Sequence, residues 1–379
     1  MDVNFWLIQE SSDIDEFEEE FFGDENTLIL LFSSVQVDLS KLREVLKRKG
    51  VSFVGCSTAG EILMKEQYQD EVIFRGSAVL GSFRFESRGV FCTELFSREQ
   101  GESSKDLGKR IGTFGKERFE SPAFVILGAG LGLDGEAMVD GIKEVVDRRV
   151  TVYGGFAGDD ELYMKTFAFT QQGISSYGVG VLVLDEKKVV IDGVTFSGWE
   201  CIEGDILVTS SKGNEVFSLN HKPALDFFLE FLEISEEDFP QIGVEYPLIF
   251  YKDNGEEVIR ACISVDKEKR SLIFGGSVPE GIKVRIGFFP GKKTVEATIK
   301  AIREKASHGL FPEVGVLFSC IGRYTSFGQM IEDEIRATVK YFNCPIIGFF
   351  TYGEFGKKLE ESNFHNLTYT LMLLKERTG

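Results

Sequence analysis

The chain has 379 residues, 43% of them hydrophobic, with 61 acidic against 42 basic side chains and a formal net charge of −19. That charge excludes a general nucleic-acid binder, which needs a basic surface to neutralise phosphates, and it opposes docking on an anionic membrane. The apolar content is ample for packed interiors, and the length predicts about two to three domains or pseudo-domains.

The 35 phenylalanines read as core filler in the place leucine usually takes. Cys56, Cys92, Cys201, Cys262, Cys320 and Cys344 lie far apart, with no CxxC pair or Cys/His cluster. This opposes a zinc site and suits reduced thiols in a cytoplasmic protein. The opening MDVNFWLIQE has no basic stretch and too short an apolar run for a signal peptide. No apolar segment approaches the ~18–20 residues of a membrane-spanning helix. A soluble cytoplasmic protein is expected, with no metal or cofactor and no nucleic-acid or membrane partner.

In chain order, SSDIDEFEEEFF places Ile14, Phe17 and Phe21 at helical spacing, which predicts an amphipathic helix with a solvated acidic face rather than an acidic tail. Residues 28–33 (LILLFS) read as a buried strand, 39–49 as a helix stopped by Gly50, and 51–55 as a second strand. That is a βαβ unit, for which a right-handed crossover is expected. The pattern recurs at 124–128, 136–147 and 150–154, and again at 314–318, 330–342 and 345–348. Each unit is followed by strand-like residues, at 72–83, 178–184 and 367–374. Between the second and third units, residues 189–291 differ. They carry strand-like runs at 189–196, 207–210, 248–251, 258–265 and 272–274, and a helix at 223–232 with Pro223 in its first turn. The fold class expected is α/β: two domains of mixed β-sheet flanked by helices, divided as 1–195 and 196–379, with the βαβ unit present three times.

Each unit ends its second strand in a similar turn: VGCSTAGE at 54–61, YGGFAGD at 153–159 and IGFFTYGE at 347–354. Loops at the carboxyl ends of parallel strands are where α/β folds bind ligands. Glycines there allow positive φ and close approach, leaving backbone N–H groups for a ligand. The candidate binding residues are Cys56, Ser57, Thr58, Glu61, Asp159, Thr351, Tyr352 and Glu354, with the carboxylates suited to an amine. The competing reading is a tight turn whose acid caps the next segment.

The third unit adds Cys320 and Arg323 at the end of its first strand. Arg323 with Glu354 would match the two ends of an amino acid, and a thiol beside an arginine would have a lowered pKa. The alternatives are a small buried cysteine and a structural Arg323–Glu354 pair. Gly130, Gly132 and Gly135 form a GxGxxG before a helix, read here as an ordinary glycine-rich helix start rather than a dinucleotide fingerprint. His221, His308 and His365 are scattered, and no GxSxG, HExxH or P-loop pattern occurs, so no catalytic residues are assigned.

At these residues the chain resembles the FIST family. VGCSTAGEI (54–62) and VYGGFAGDD (152–160) are similar to turns of its N-terminal domain. The stretches at 208–228, 277–284, 317–328 (LFSCIGRYTSFG) and 345–356 (PIIGFFTYGEFG) are similar to its C-terminal domain, in the expected order. The resemblance implies a sensory module that binds a small polar metabolite, with amino acids as proposed ligands, in intracellular signal transduction. Such modules are often joined to output domains. Here the two FIST-type domains nearly fill the chain, so signalling through a partner protein or through oligomerisation is expected. A cysteine-dependent enzyme and an interaction scaffold are the alternatives.

Overall fold

The computed structural model describes residues 1–66 and 69–377. It is a mixed α/β protein, 26% helix and 38% strand. The three βαβ units are present: Thr27–Ser33, Leu39–Lys49 and Ser52–Ser57; Pro122–Gly128, Gly135–Val145 and Val152–Phe156; Val314–Cys320, Ile331–Phe342 and Ile346–Thr351. In each unit the two strands pair in parallel. A later antiparallel strand, Ala78–Arg84, Gly178–Asp185 or Tyr369–Glu376, lies on the other side of the first strand.

The three sheets face one another around a shared interior, with helices on their outer faces. Leu28, Leu30 and Phe32 point to that centre together with Val125 and Leu127, and with Val314, Val316 and Phe318. The alternate residues Ile29 and Leu31, Phe124 and Ile126, and Leu317 pack under helices. Burial on both faces is why these strands read as unbroken apolar runs. Phenylalanine fills the junction: Phe32 and Phe349 meet across two sheets at 4.7 Å, and Phe318 stands edge-on to Phe349 at 5.8 Å.

The sheets are also interlocked. Glu61–Met64, which follows the first turn, pairs with Ile346–Thr351 of the third unit. Glu354–Lys358, after the third turn, pairs with Val152–Phe156 of the second. Ala168–Thr170 pairs with Ser52–Ser57 of the first. Every unit thus lends one strand to the next in a closed cycle, a pseudo-threefold arrangement that also joins the two halves of the chain.

The leading glycine of each turn motif has a packing cause. A Cβ at Gly55, Gly154 or Gly348 would strike the carbonyl oxygen of Leu31, Ile126 or Leu317, its parallel neighbour. The helix Gly135–Val145 begins at an Asp134 cap, and the fronts of Gly130 and Gly135 are filled by Phe156 and Phe364.

Strand Asp2–Ile8, strand Phe91–Ser97 and helices Ser104–Arg118 and Lys292–Ala306 were not expected from the pattern. The helix Ser104–Arg118 carries three glycines, which weaken its sequence signal. Two of them bring it backbone-close to Gly135–Val145, Gly108 against Met138 and Gly112 against Ile142, while Gly115 makes room for Phe124. The acidic N-terminal segment is the expected helix, Ser11–Glu20, with Ile14, Phe17 and Phe21 buried. Residues 200–288 build a nine-stranded sheet around the helix Ala224–Leu232. Its Trp199, Ile249, Ile259 and Ala261 pack against Cys320 and Leu367, so this sheet backs the third unit.

Gly348→Ala is expected to destabilise the fold by about 1–3 kcal/mol, because the opposing atom is backbone and cannot step aside. Urea denaturation of this variant against wild type measures it.

Candidate functional site

The crossings between sheets fix the turns by backbone pairing. Ala59 N–H donates to Phe350 O at 3.1 Å, Tyr352 N–H to Phe156 O at 3.0 Å, and Gly158 N–H to Ser57 O at 3.0 Å. The turn N–H groups expected to greet a ligand are therefore used to lock one sheet to another.

What the turns do offer is a pair of matching acidic sites. Glu61 accepts from the Thr58 hydroxyl and from the Ser77 hydroxyl, the latter at 2.5 Å. Glu354 accepts from the Thr351 hydroxyl, and from the Thr368 amide at 3.1 Å and hydroxyl at 2.9 Å. Ser77 and Thr368 stand immediately before the equivalent antiparallel strands of their units. Both carboxyls are fully buried, and burial raises each to about 7 against the opposition of these hydrogen bonds.

The third equivalent position is blank. Ala168 lies opposite Cys56 in the register where Glu61 faces Phe349 and Glu354 faces Gly155. The counterparts of the hydroxyl residues there are Ala157 and Gly178. Asp159, expected to be the acid of this copy, instead opens an insertion of residues 159–166. Its carboxylate accepts from the amides of Tyr163, Met164 and Lys165 at 2.7–2.8 Å and from the Tyr352 hydroxyl at 2.7 Å. The insertion lies against both acidic turns, through Asp160 at the first and through Tyr352 at the third. Asp160 accepts from Ser34 Oγ at 2.7 Å and adds its charge to the raised pKa of Glu61. The Tyr163 ring stacks on Tyr352 at 4.5 Å. Asp160, Glu161 and Tyr163 all hold φ between 53° and 66°, a left-handed conformation that costs about 1 kcal/mol or more per non-glycine residue.

The remaining expected residues serve elsewhere. Cys56 is a core side chain whose thiol is pushed up by burial. Ser57 Oγ accepts from the Phe167 amide at 2.8 Å, closing the insertion. Cys320 lies beside Glu354, and burial together with that carboxyl drives its thiol well above the ordinary range. The expectation of an acidified, reactive Cys320 is therefore reversed. Arg323 does not meet Glu354. It is fully buried and donates to Glu334 Oε1 at 2.6 Å, Thr298 Oγ1 at 3.0 Å, Ser197 O at 2.5 Å and Leu367 O at 3.2 Å, with Phe327 against its face at 4.5 Å. It ties the helix Ile331–Phe342 to two loops and has no exposed surface for a ligand carboxylate.

Ser34, Asp160, Tyr163, Ser77, Glu334 and Thr368 were missed. For Ser77 and Thr368 a signal existed, a hydroxyl one residue before the same strand in two units. The site is closed, and two surface hollows, about 580 Å³ at Asp147–Arg149 with Glu360 and Glu361, and about 220 Å³ beside Phe239, Cys262 and Ile263, share none of its residues. Among the described residues, no helix is long and apolar enough to cross a membrane.

Residues 27–222 match the FIST N domain and residues 224–357 the FIST C domain, so the chain belongs to the FIST family. FIST domains are associated with sensory roles in signal transduction. The chain is also similar to an uncharacterised protein of Methanocaldococcus jannaschii, at 24% identity over 91% of this chain and 72% of that protein.

Removing Arg323 as Arg323→Ala strands a buried Glu334 carboxylate, itself already pushed up by burial. A loss of about 3–5 kcal/mol is expected in urea denaturation. The acidic sites predict a pH slope. Their folded values near 7 exceed the ordinary 4.5, so the folded protein binds extra protons between these limits. Stability should be full below about pH 4.5, fall as pH rises towards 7, and level off above it. Each carboxyl contributes up to about 3 kcal/mol to that fall. Denaturation between pH 4.5 and 8 should give a flatter profile for Glu61→Gln and for Glu354→Gln, each more stable than wild type at pH 8.

Proposed function

We propose that the protein is a sensor of a small polar metabolite, an amino acid by class, whose amine is held at the roofed acidic sites. The observation that carries this reading is that carboxyl and hydroxyls occur together twice and are lost together in the third unit, where a covering loop is inserted instead. A buried carboxyl costs stability unless it is paired. An arriving ammonium group would supply the missing charge, and a carboxyl titrating near neutrality is poised to ionise for it. Thr58, Thr351 and Thr368 orient the acids, and Tyr352 with Asp159 holds the roof.

Ligand entry requires the roof to lift. The roof exposes Leu162, Tyr163 and Met164, with Met164 at 81%. Its displacement would alter the surface offered to a partner protein or a second copy, which is the route to signalling under this reading.

A thermal-shift screen of the proteinogenic amino acids tests it. A ligand at ~100 times its Kd stabilises by about 2.7 kcal/mol, a shift of a few degrees. The expected hit weakens at least tenfold in Glu354→Gln or Glu61→Gln. A hit unaffected by both variants, or no hit with any amino acid, overturns the proposal.

A further inference from the structure

We propose that Arg75 and the ring of Tyr324 form a subsite for the ligand's carboxylate, and that Glu161 of the roof occupies it as an internal stand-in until ligand arrives. The inference rests on the sensory reading above and supplies the carboxylate partner that Arg323 does not provide.

Arg75 directly follows strand Ile73–Phe74, in which Phe74 is paired with Glu61. Its position beside the first acidic turn is therefore set by sheet register. A Cβ at Gly60 would lie 3.3 Å from Arg75 Nε, so the glycine leaves room for the guanidinium. The guanidinium lies over Tyr324, 4.7 Å from the ring centroid, and Tyr324 packs on Phe350 at 5.0 Å. An arginine laid on an aromatic face keeps its planar edge available for a carboxylate.

That edge is now engaged by Glu161, with Nη1 donating to Oε1 at 2.8 Å. Both partners are more than a third exposed, so a free carboxylate can compete for the arginine. Glu161 also sits at φ 66°, between Asp160 and the strained Tyr163. The same insertion covers Glu61 through Asp160 and reaches Tyr352 through Tyr163. Exchange of one carboxylate for another at Arg75 would loosen the roof over the amine-binding acids, so recognition of one end of the ligand opens the site for the other.

Acetate, which carries the carboxylate alone, is the first probe, at constant ionic strength and with acetamide as neutral control. Acetate is expected to raise the Tm of Glu161→Ala more than that of wild type, where it must displace Glu161, while leaving Glu161→Ala/Arg75→Ala unmoved. Glu161→Gln, which keeps the side-chain volume, should respond as Glu161→Ala does. No response in either single variant, or an equal response in the double variant, overturns the proposal. An amino acid that stabilises wild type should bind Glu161→Ala about tenfold more tightly, since the internal competitor is gone. Unchanged affinity would overturn the stand-in while leaving the sensor reading intact. An acetate response without any amino-acid hit would support the subsite and sink the amino-acid reading.

Discussion

The constraint on which the rest of this structure depends is that each turn must carry the chain from one sheet into the next, within a few residues in the first and third units and through an insertion in the second. The backbone is satisfied at each crossing by hydrogen bonds to a strand of another unit, as with Ala59 to Phe350 and Tyr352 to Phe156. A buried crossing has no water to fall back on, so these bonds are obligatory. They also immobilise Thr58 and Thr351, which gives each following glutamate a fixed hydroxyl to meet. The acidic sites are thus a by-product of how the sheets are locked together, and their geometry is as rigid as the core around them.

Much of the fold was legible in the sequence. The unbroken apolar runs at 28–33, 124–128 and 314–318 are what strands buried on both faces must look like, and the repeated turn marked three βαβ units. The strand exchange was not legible. EILM at 61–64 reads as the same strand whichever sheet receives it, and its partner Ile346–Thr351 is remote in sequence. The site was legible in part. The pairs Thr58–Glu61 and Thr351–Glu354 stand at fixed spacing within the motif, but the identity of the second copy's acid was misleading. YGGFAGD presents Asp159 where an acid is expected, whereas the register passes that role to Ala168 after an insertion. Arg323 failed for another reason. Nearness to Glu354 in the turn cluster said nothing of Glu334, which reaches the guanidinium from a helix face.

Two charged arrangements in the third unit illustrate opposite uses of burial. Arg323 and Glu334 cancel each other in the dry interior and so contribute a fixed brace between helix and loops. Glu354, a short way off across Leu367 and Thr368, has only neutral donors around it, and these offset only part of its desolvation cost. The first has its opposite charge built in, although Arg323 Nε and Glu334 Oε2 stay without a hydrogen-bond partner. The second is electrically incomplete, and this difference separates a structural charge from one available for recognition.

The cyclic lending of strands has a consequence for how the molecule is made. The strand Glu61–Met64 emerges early from synthesis, yet the edge it must join is Ile346–Thr351, near the other end of the chain. Until the third unit has been made, EILM has only the two-residue strand Ile73–Phe74 beside it, and its other edge is open, the kind of segment that invites association with other chains. Closing the ring also demands contacts of very long sequence separation, which slow folding. The architecture that makes the folded protein a single locked body therefore leaves its nascent form open until the third unit has been made.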